Sequence, residues 1–321
     1  MFQKSCCYSM KIGITLPQVG ELATRENVIE LAKAAEAEDV DSLWVLDRLL
    51  WPLKPQTPYR GTKDGTLPVS AQNVFDPLEL LTFAAANTEK IALGTSVIDM
   101  LFHNPIILGR QFATLDVLSQ GRVICGLGIG WSRDEYQACN IPFKYRGKRA
   151  IEFVEVLKRI WMDDVVEFKG EFYNIPASKI GPKPIQKPYP QIYLGGWSSK
   201  TFPRIIKNEA NGWLASMGVG IASLDYLHNN IRMLKDKATR TNKNKNNFRV
   251  FVLAYPQTDS KYSKSGERIL LNGTIDQIGS DMQKIKEMGV DHIILCYLFS
   301  KESKDPKKTV RLTKQLSDFV R

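Results

Sequence analysis

Short apolar runs rich in β-branched residues alternate with stretches of helical period along the whole chain. "KIGITLP" (Lys11–Pro17) reads as a buried strand. In "TRENVIELAKAAEAE" Thr24 is a helix N-cap, and Val28, Leu31, Ala32 and Ala35 fall on one face. "SLWVLD" (Ser42–Asp47) is the second strand, and "DPLELLTFAAANT" the second helix, with Pro77 in its first turn. The pattern continues through "IALGTSVID" (Ile91–Asp99), a helix from Pro105 to Ser119, "RVICGLGIG", and a helix from about Ile151 to Trp161. It closes with four more strands, "QIYLGG", "GWLAS", "FRVFVLAY" and "DHIILCY", each followed by a helix. Near-continuous apolar strands separated by helices predict a parallel sheet covered on its outer side. Eight such units predict an α/β fold of the closed (β/α)8 TIM-barrel type, with function on the loops after the strands' C-terminal ends.

Two stretches interrupt the period, one after strand 2 and one after strand 4. The loop over 48–75 is rich in proline, glycine and aromatics and reads as a lid. The stretch over 162–190 holds "VVEFKGEFYNI", two alternating segments around Lys169-Gly170 that predict a hairpin. Neither is a domain linker, because the strand count needs both sides. The expected organisation is a flexible tail over 1–10, with Met10 an alternative start, and one barrel domain over 11–321.

Composition narrows the chemistry. No apolar stretch is long enough to span a bilayer, and "MFQKSCCYSM" lacks the apolar core of a signal peptide, so a cytoplasmic protein with no membrane partner is expected. Five cysteines without zinc-ligand spacing and only three histidines predict no metal site. A net charge of +10 raises the possibility of nucleic acid as a partner. Much of the excess lies in "KDKATRTNKNKNNFR", which has no aromatic to stack on a base before Phe248, and a solvated loop is expected there instead.

Gly126, Gly128 and Gly130 end the fourth strand in "RVICGLGIGW". A dinucleotide fingerprint needs G-x-G-x-x-G opening a helix and an acidic residue in a second strand about 20 residues on. Here the spacing is G-x-G-x-G before a bulky Trp131, and the acidic residue at that distance, Glu152, lies in a helix. The glycines therefore point to close approach of backbone or ligand at the strand's functional end, or, for Gly126, to a crowded barrel layer.

With these segments in place, "GLGIGWSRDEYQACNIPFKYRGKRAIEFVEVLKRIW", "LGTSVI", "QFATLDVLSQGR" and "PKPIQKPYPQIYLGGWSS…ANGW" resemble the luciferase-like monooxygenase superfamily. Within it they are most similar to the oxidoreductases that use coenzyme F420, and the motifs keep their order from Met10 to Arg321. The resemblance implies a reduced flavin or deazaflavin bound at the barrel's C-terminal mouth. It implies a bulge with a non-proline cis peptide at Ser96–Val97, beside Thr95, behind the ring system. It places Gly128 and Gly130 under the cofactor, and Gly195, Gly196, Ser198 and Ser216 around its phosphate-bearing tail. An exposed backbone at a strand-to-helix turn suits a phosphate.

The F420-using branch commonly has Asp-His after the second strand, whereas this chain has Asp47-Arg48. Asp47 is expected to accept a hydrogen bond from the ring system or to orient Arg48. A guanidinium, with a pKa above ~12, holds an anion but gives up no proton near neutrality. His103 in "MLFHNP" is either the proton donor or a turn residue. Trp51, Tyr59 and Trp131 are the expected aromatic wall of the substrate pocket, Trp51 having lid packing as its alternative. Glu135 and Arg146 match the family pattern and are expected to hold loops and helices together.

The function implied is hydride transfer between F420 and a small-molecule substrate, by a homodimer. An FMN-dependent monooxygenase fed by a partner reductase is the alternative, and a non-catalytic flavin-binding protein the second.

Overall fold

The computed structural model describes residues 9–62, 64–197, 201–207, 210–217, 223–240, 248–259 and 266–321. Its strands are β1 (Lys11–Thr15), β2 (Ser42–Val45), β3 (Ala92–Thr95), β4 (Ile98–Asp99), β5 (Val123–Gly128), β6 (Val166–Lys169), β7 (Asn174–Ser178), β8 (Gln191–Gly195), β9 (Gly212–Met217), β10 (Arg249–Ala254) and β11 (His292–Leu295). Its helices are α1 (Arg25–Ala37), α2 (Pro77–Ala85), α3 (Pro105–Leu118), α4 (Arg133–Ala138), α5 (Arg146–Met162), α6 (Phe202–Lys207), α7 (Leu224–Arg240), α8 (Ile275–Glu287) and α9 (Pro306–Ser317).

The parallel strands close on themselves in the order β1, β2, β3, β5, β8, β9, β10, β11 and back to β1. The (β/α)8 barrel is therefore the fold. β4 prolongs the third barrel strand past a break at Ser96–Val97, whose peptide is cis, and pairs with the end of β5. The hairpin is present as the antiparallel pair β6–β7, outside the barrel.

Helix ends follow local chemistry. Thr24 accepts from Asn27 N, Asp76 caps α2 ahead of Pro77, and Thr274 forms a capping box with Gln277. Each cap satisfies backbone donors that the helix itself leaves unpaired.

Two apolar cores result. The larger lies between sheet and helices, with Leu31, Leu81, Phe112, Phe153 and Ile278 among its buried members. The smaller fills the barrel with Trp44, Tyr193, Phe251 and Ile294. There Tyr193 stacks on Phe251 with ring centroids 3.9 Å apart, and Trp44 meets Phe251 edge-on. At the N-terminal end, His292 Nε2 lies 2.8 Å from Ser42 Oγ, which also accepts from Trp44 Nε1. Burial pushes the His292 imidazole from 6.5 down to about 3, with Lys11 adding to the effect, so it is neutral.

Three details depart from the sequence expectation. Met10 is fully buried and its N–H donates to Val320 O, so the fold takes in the residue assigned to the end of the tail; residues 1–8 lie outside those described. α5 begins at Arg146 rather than near Ile151; its polar first turn adds nothing to the apolar stripe that marks the rest. The short α4 carries only Glu135 and Tyr136 as buried residues, too few to set up a period. Among the described residues, no helix is long and apolar enough to cross a membrane. The Asn/Lys stretch over 241–247 lies outside them.

Candidate active site

The loops after the strands' C-terminal ends converge on one mouth, and its floor is set by glycine. A Cβ on Gly126 would enter the van der Waals shell of Thr95's carbonyl oxygen. Thr95 is fully buried, and its hydroxyl donates to Gly126 O (2.7 Å) and accepts from Gly126 N (2.9 Å), stitching β3 to β5. Ser96 is also buried, its hydroxyl near Val45 O at 3.2 Å. The half-buried side chain of Val97 occupies the space that side chains on Gly128 and Gly195 would fill. The outcome is an apolar floor level with the ends of three strands.

Fully buried Gln18 fixes the loop after β2. Its Nε2 donates to Leu46 O (2.6 Å) and Phe75 O (2.8 Å), and its Oε1 accepts from Leu46 N (2.8 Å). The next two residues are thereby delivered to the mouth. Asp47 Oδ2 accepts from Asp99 N at 3.0 Å and faces His103 Nε2 at 3.9 Å. Arg48 turns to α4, where Nε donates to Glu135 Oε1 at 2.6 Å and Nη2 pairs with Oε2. Leu49 N also donates to Glu135 Oε1, and the Arg48 guanidinium lies over the Trp131 ring, 5.0 Å from its centroid. Burial lowers the pKa of Arg48, and the charges of Asp99, Asp47 and Tyr59 oppose that shift.

Asp99, at the end of β4, is a buried side chain of this mouth that the sequence expectation did not single out. It is buried, and its Oδ1 accepts from Gly130 N at 2.9 Å. Desolvation and then the neighbouring Asp47 charge raise its pKa to about 7, against Arg48, the Gly130 N–H and His103. Gly130 takes φ +69° to present that N–H, wedged between the Phe102 and Tyr136 rings. Tyr136 donates its hydroxyl to Ile129 O, which braces the same turn.

The lid brings Tyr59 against Trp131, with ring centroids 5.6 Å apart. Burial raises the Tyr59 phenol, and the neighbouring Cys296 adds to the shift, so this ring reaches from the Arg48 side toward β11. Trp51 stays within the lid, its indole N–H donating to Leu67 O at 3.2 Å. On the far side, Ser216 hydrogen-bonds Tyr255, whose phenol burial holds well above its ordinary value. Burial likewise raises the Cys296 thiol to about 11.

After β8, Gly196 takes φ +136° against Thr201, and its carbonyl accepts from Trp213 Nε1 at 2.9 Å. Ser198 lies outside the described residues. Arg204 Nη2 donates to Thr201 Oγ1 at 3.1 Å, and its pKa is lowered by burial and then by Arg146. Arg146 stacks on the Phe143 ring at 3.8 Å, and its buried Nε has no hydrogen-bond partner. Among the described residues neither guanidinium has a carboxylate partner. Two adjoining cations without a counter-charge among the described residues, beside a glycine turn, offer a place for an anion.

The mouth thus combines an apolar floor, a carboxylate–imidazole cluster, an aromatic lid and a cationic end. A family model described as luciferase-like monooxygenase matches residues 10–264. An uncharacterised protein of Mycobacterium tuberculosis is 32% identical over 186 residues, 58% of this chain and 66% of its own length. An F420-dependent glucose-6-phosphate dehydrogenase of Amycolatopsis mediterranei is 30% identical over 199 residues, 61% of this chain and 54% of its own length. Among solved structures, an F420-dependent secondary alcohol dehydrogenase in complex with an F420-acetone adduct superposes with a TM-score of 0.78 at 18% identity, covering 98% of this chain and 99% of that one.

Proposed function

The chain belongs to the luciferase-like monooxygenase family, and from that premise we propose that it is an oxidoreductase using coenzyme F420 to transfer a hydride to or from a small organic molecule. The F420-dependent dehydrogenase among its relatives supports this choice of cofactor. The observation that carries the reading is the floor of the mouth, where Val97 lies in space left open by Gly128 and Gly195 and offers a planar ring an apolar rest. Among the described residues the Arg146 Nε has no hydrogen-bond partner and Arg204 no carboxylate, which suits a phosphate-bearing tail, so the residues present fit the group.

Bound there, the deazaflavin would supply a two-electron carrier that reacts sluggishly with oxygen. Thr95 and Ser96 hold the strand end that bears Val97. Gly130 orients the adjoining turn. Gly196, Ser216, Arg146 and Arg204 make the tail subsite, and Ser198, which the resemblance adds to it, lies outside the described residues. Tyr59, Trp131 and Trp51 close the lid side and exclude water, which strengthens every electrostatic interaction inside. Asp47 and His103 face each other at the mouth and shape its field. Arg48, paired with Glu135, stiffens the aromatic wall and sets the local field rather than gripping a free anion. A homodimer, on the resemblance, and a cytoplasmic location, on the sequence, complete this reading.

The test is a fluorescence titration of the purified protein with F420 and, separately, with FMN. The expected result is F420 binding at least tenfold tighter. The opposite preference would move the chain to the FMN-dependent, oxygen-using alternative, whose phosphate the same two arginines would hold. Absence of binding by either would refute the reading.

A further inference from the structure

Around Asp99 the charges do not balance. From the loop after β2 it faces Asp47 and Arg48, from the turn after β4 His103, and from α4 Tyr136. Glu135, also on α4, engages Arg48, and Cys139 at the end of α4 lies near Asp47. With Arg48 committed to Glu135, two carboxylates, Asp47 and Asp99, are left facing one imidazole. Two carboxylates in one desolvated site do not both ionise. Asp47 accepts the Asp99 N–H and faces His103, so its carboxylate is the better satisfied of the two. Asp99 is 8% exposed; its Oδ1 is held by the Gly130 N–H, and its Oδ2 has no hydrogen-bond partner among the described residues.

The geometry points to Asp99 as the acid–base catalyst of this mouth, carrying its exchangeable proton on Oδ2 and acting on a neutral alcohol or the carbonyl compound that the alcohol yields. The inference rests on the hydride-transfer reading above. In the oxidising direction the substrate's O–H bond breaks and its proton goes to the Asp99 carboxylate. The carbinol C–H bond breaks with its electron pair, the hydride goes to the two-electron acceptor, and the C=O bond forms. Reduction runs the same transfers backward, with Asp99 giving its proton to the new alkoxide oxygen. With the Arg48 charge already taken by Glu135, the mouth offers no free guanidinium at this point, which suits an uncharged reacting end of the substrate. An acid–base group of this kind works best when it titrates near the operating pH.

The first test needs no cofactor. Infrared difference spectra of the free protein across pH follow the carbonyl stretch of protonated carboxyl groups. The wild-type protein is expected to lose one such band as pH rises through about 7. Asp99→Asn, which keeps an oxygen for Gly130 N–H, is expected to lack it. Asp47→Asn is expected to keep the band and lose it at lower pH, since the neighbouring charge is gone. Persistence of the band in Asp99→Asn, or an unchanged midpoint in Asp47→Asn, overturns the assignment. With F420 and a panel of secondary alcohols, Asp99→Asn should lower kcat by ~10²-fold or more while F420 binding stays within threefold of wild type. A kcat within threefold of wild type also overturns it. Failure of the wild-type protein to bind F420 would sink the cofactor reading and leave the infrared result standing, so the two failures are separable.

Discussion

Replacing Glu135 by glutamine keeps the side chain's shape and an acceptor for Leu49 N–H, but removes the charge opposite Arg48. The two side chains are 0% and 8% exposed, and the pair is bidentate, so the guanidinium left behind is buried without a counter-ion. Breaking such a pair from one side costs about 3–5 kcal/mol. The retained amide oxygen keeps the loss at the lower end, about 3 kcal/mol, which for 321 residues lowers Tm by about 4–5 °C. Urea and thermal unfolding of the purified variant measure the loss. The double change Arg48→Met with Glu135→Leu removes both charges and should recover stability to within ~1 kcal/mol of wild type, because apolar residues fill the site without a desolvation cost. A second readout follows from the charge balance. Without Glu135 the Arg48 cation acts unopposed on Asp99 and favours its anion, so the Asp99 midpoint should move below about 7. A Glu135→Gln variant within 1 kcal/mol of wild type, or a double variant no better than the single, would refute the claim that this pair is a buried, mutually dependent unit.

Gly126→Ala should be among the most damaging single-methyl additions in the chain, since its Cβ meets rigid backbone at Thr95. A loss of more than ~3 kcal/mol is expected, and a variant melting within 2 °C of wild type, by differential scanning calorimetry, would show that the strands can part. His292 should set an acid limb. Its folded pKa lies below its unfolded one, so the stabilisation is fully present above 6.5 and is lost progressively as pH falls toward about 3. His292→Gln should flatten urea midpoints between pH 6.5 and 4.5, and an identical slope in both proteins would assign the acid limb to other groups.

The barrel was legible because its signals are local. Each strand is a short apolar run, each major helix shows its stripe over three or four turns, and Thr24, Asp76 with Pro77, and Thr274 mark helix starts within a few residues of sequence. α4 and the first turn of α5 escaped because both are polar and are held by contacts rather than by period. α4 is anchored by Glu135 on Arg48, a partner 87 positions away. The glycines at and just past the end of β5 were legible as close approach, and their reasons differ: backbone for Gly126, the Val97 side chain for Gly128, and a left-handed turn for Gly130.

Site chemistry was legible only where one residue type carries it. Arg48 announces a fixed cation, but whether that cation is free or neutralised depends on Glu135, in another loop. Asp99 is harder still. In "SVIDML" it reads as an ordinary polar residue ending a strand. Its distinctive state arises from burial, from the neighbouring carboxylate of Asp47, and from a guanidinium already engaged elsewhere. No spacing rule joins those residues, because the barrel brings the loops after β2, β4 and β5 together only at closure. A family pattern would have directed attention to the residue following Asp47, where the chain departs from Asp-His. The departure gains a physical meaning once the charges are summed. With arginine there and its charge taken by glutamate, the proposed exchangeable proton has a place on Asp99, and His103 faces the carboxylate of Asp47. The substitution at one position and the carboxylic acid at another are then two parts of a single electrostatic arrangement.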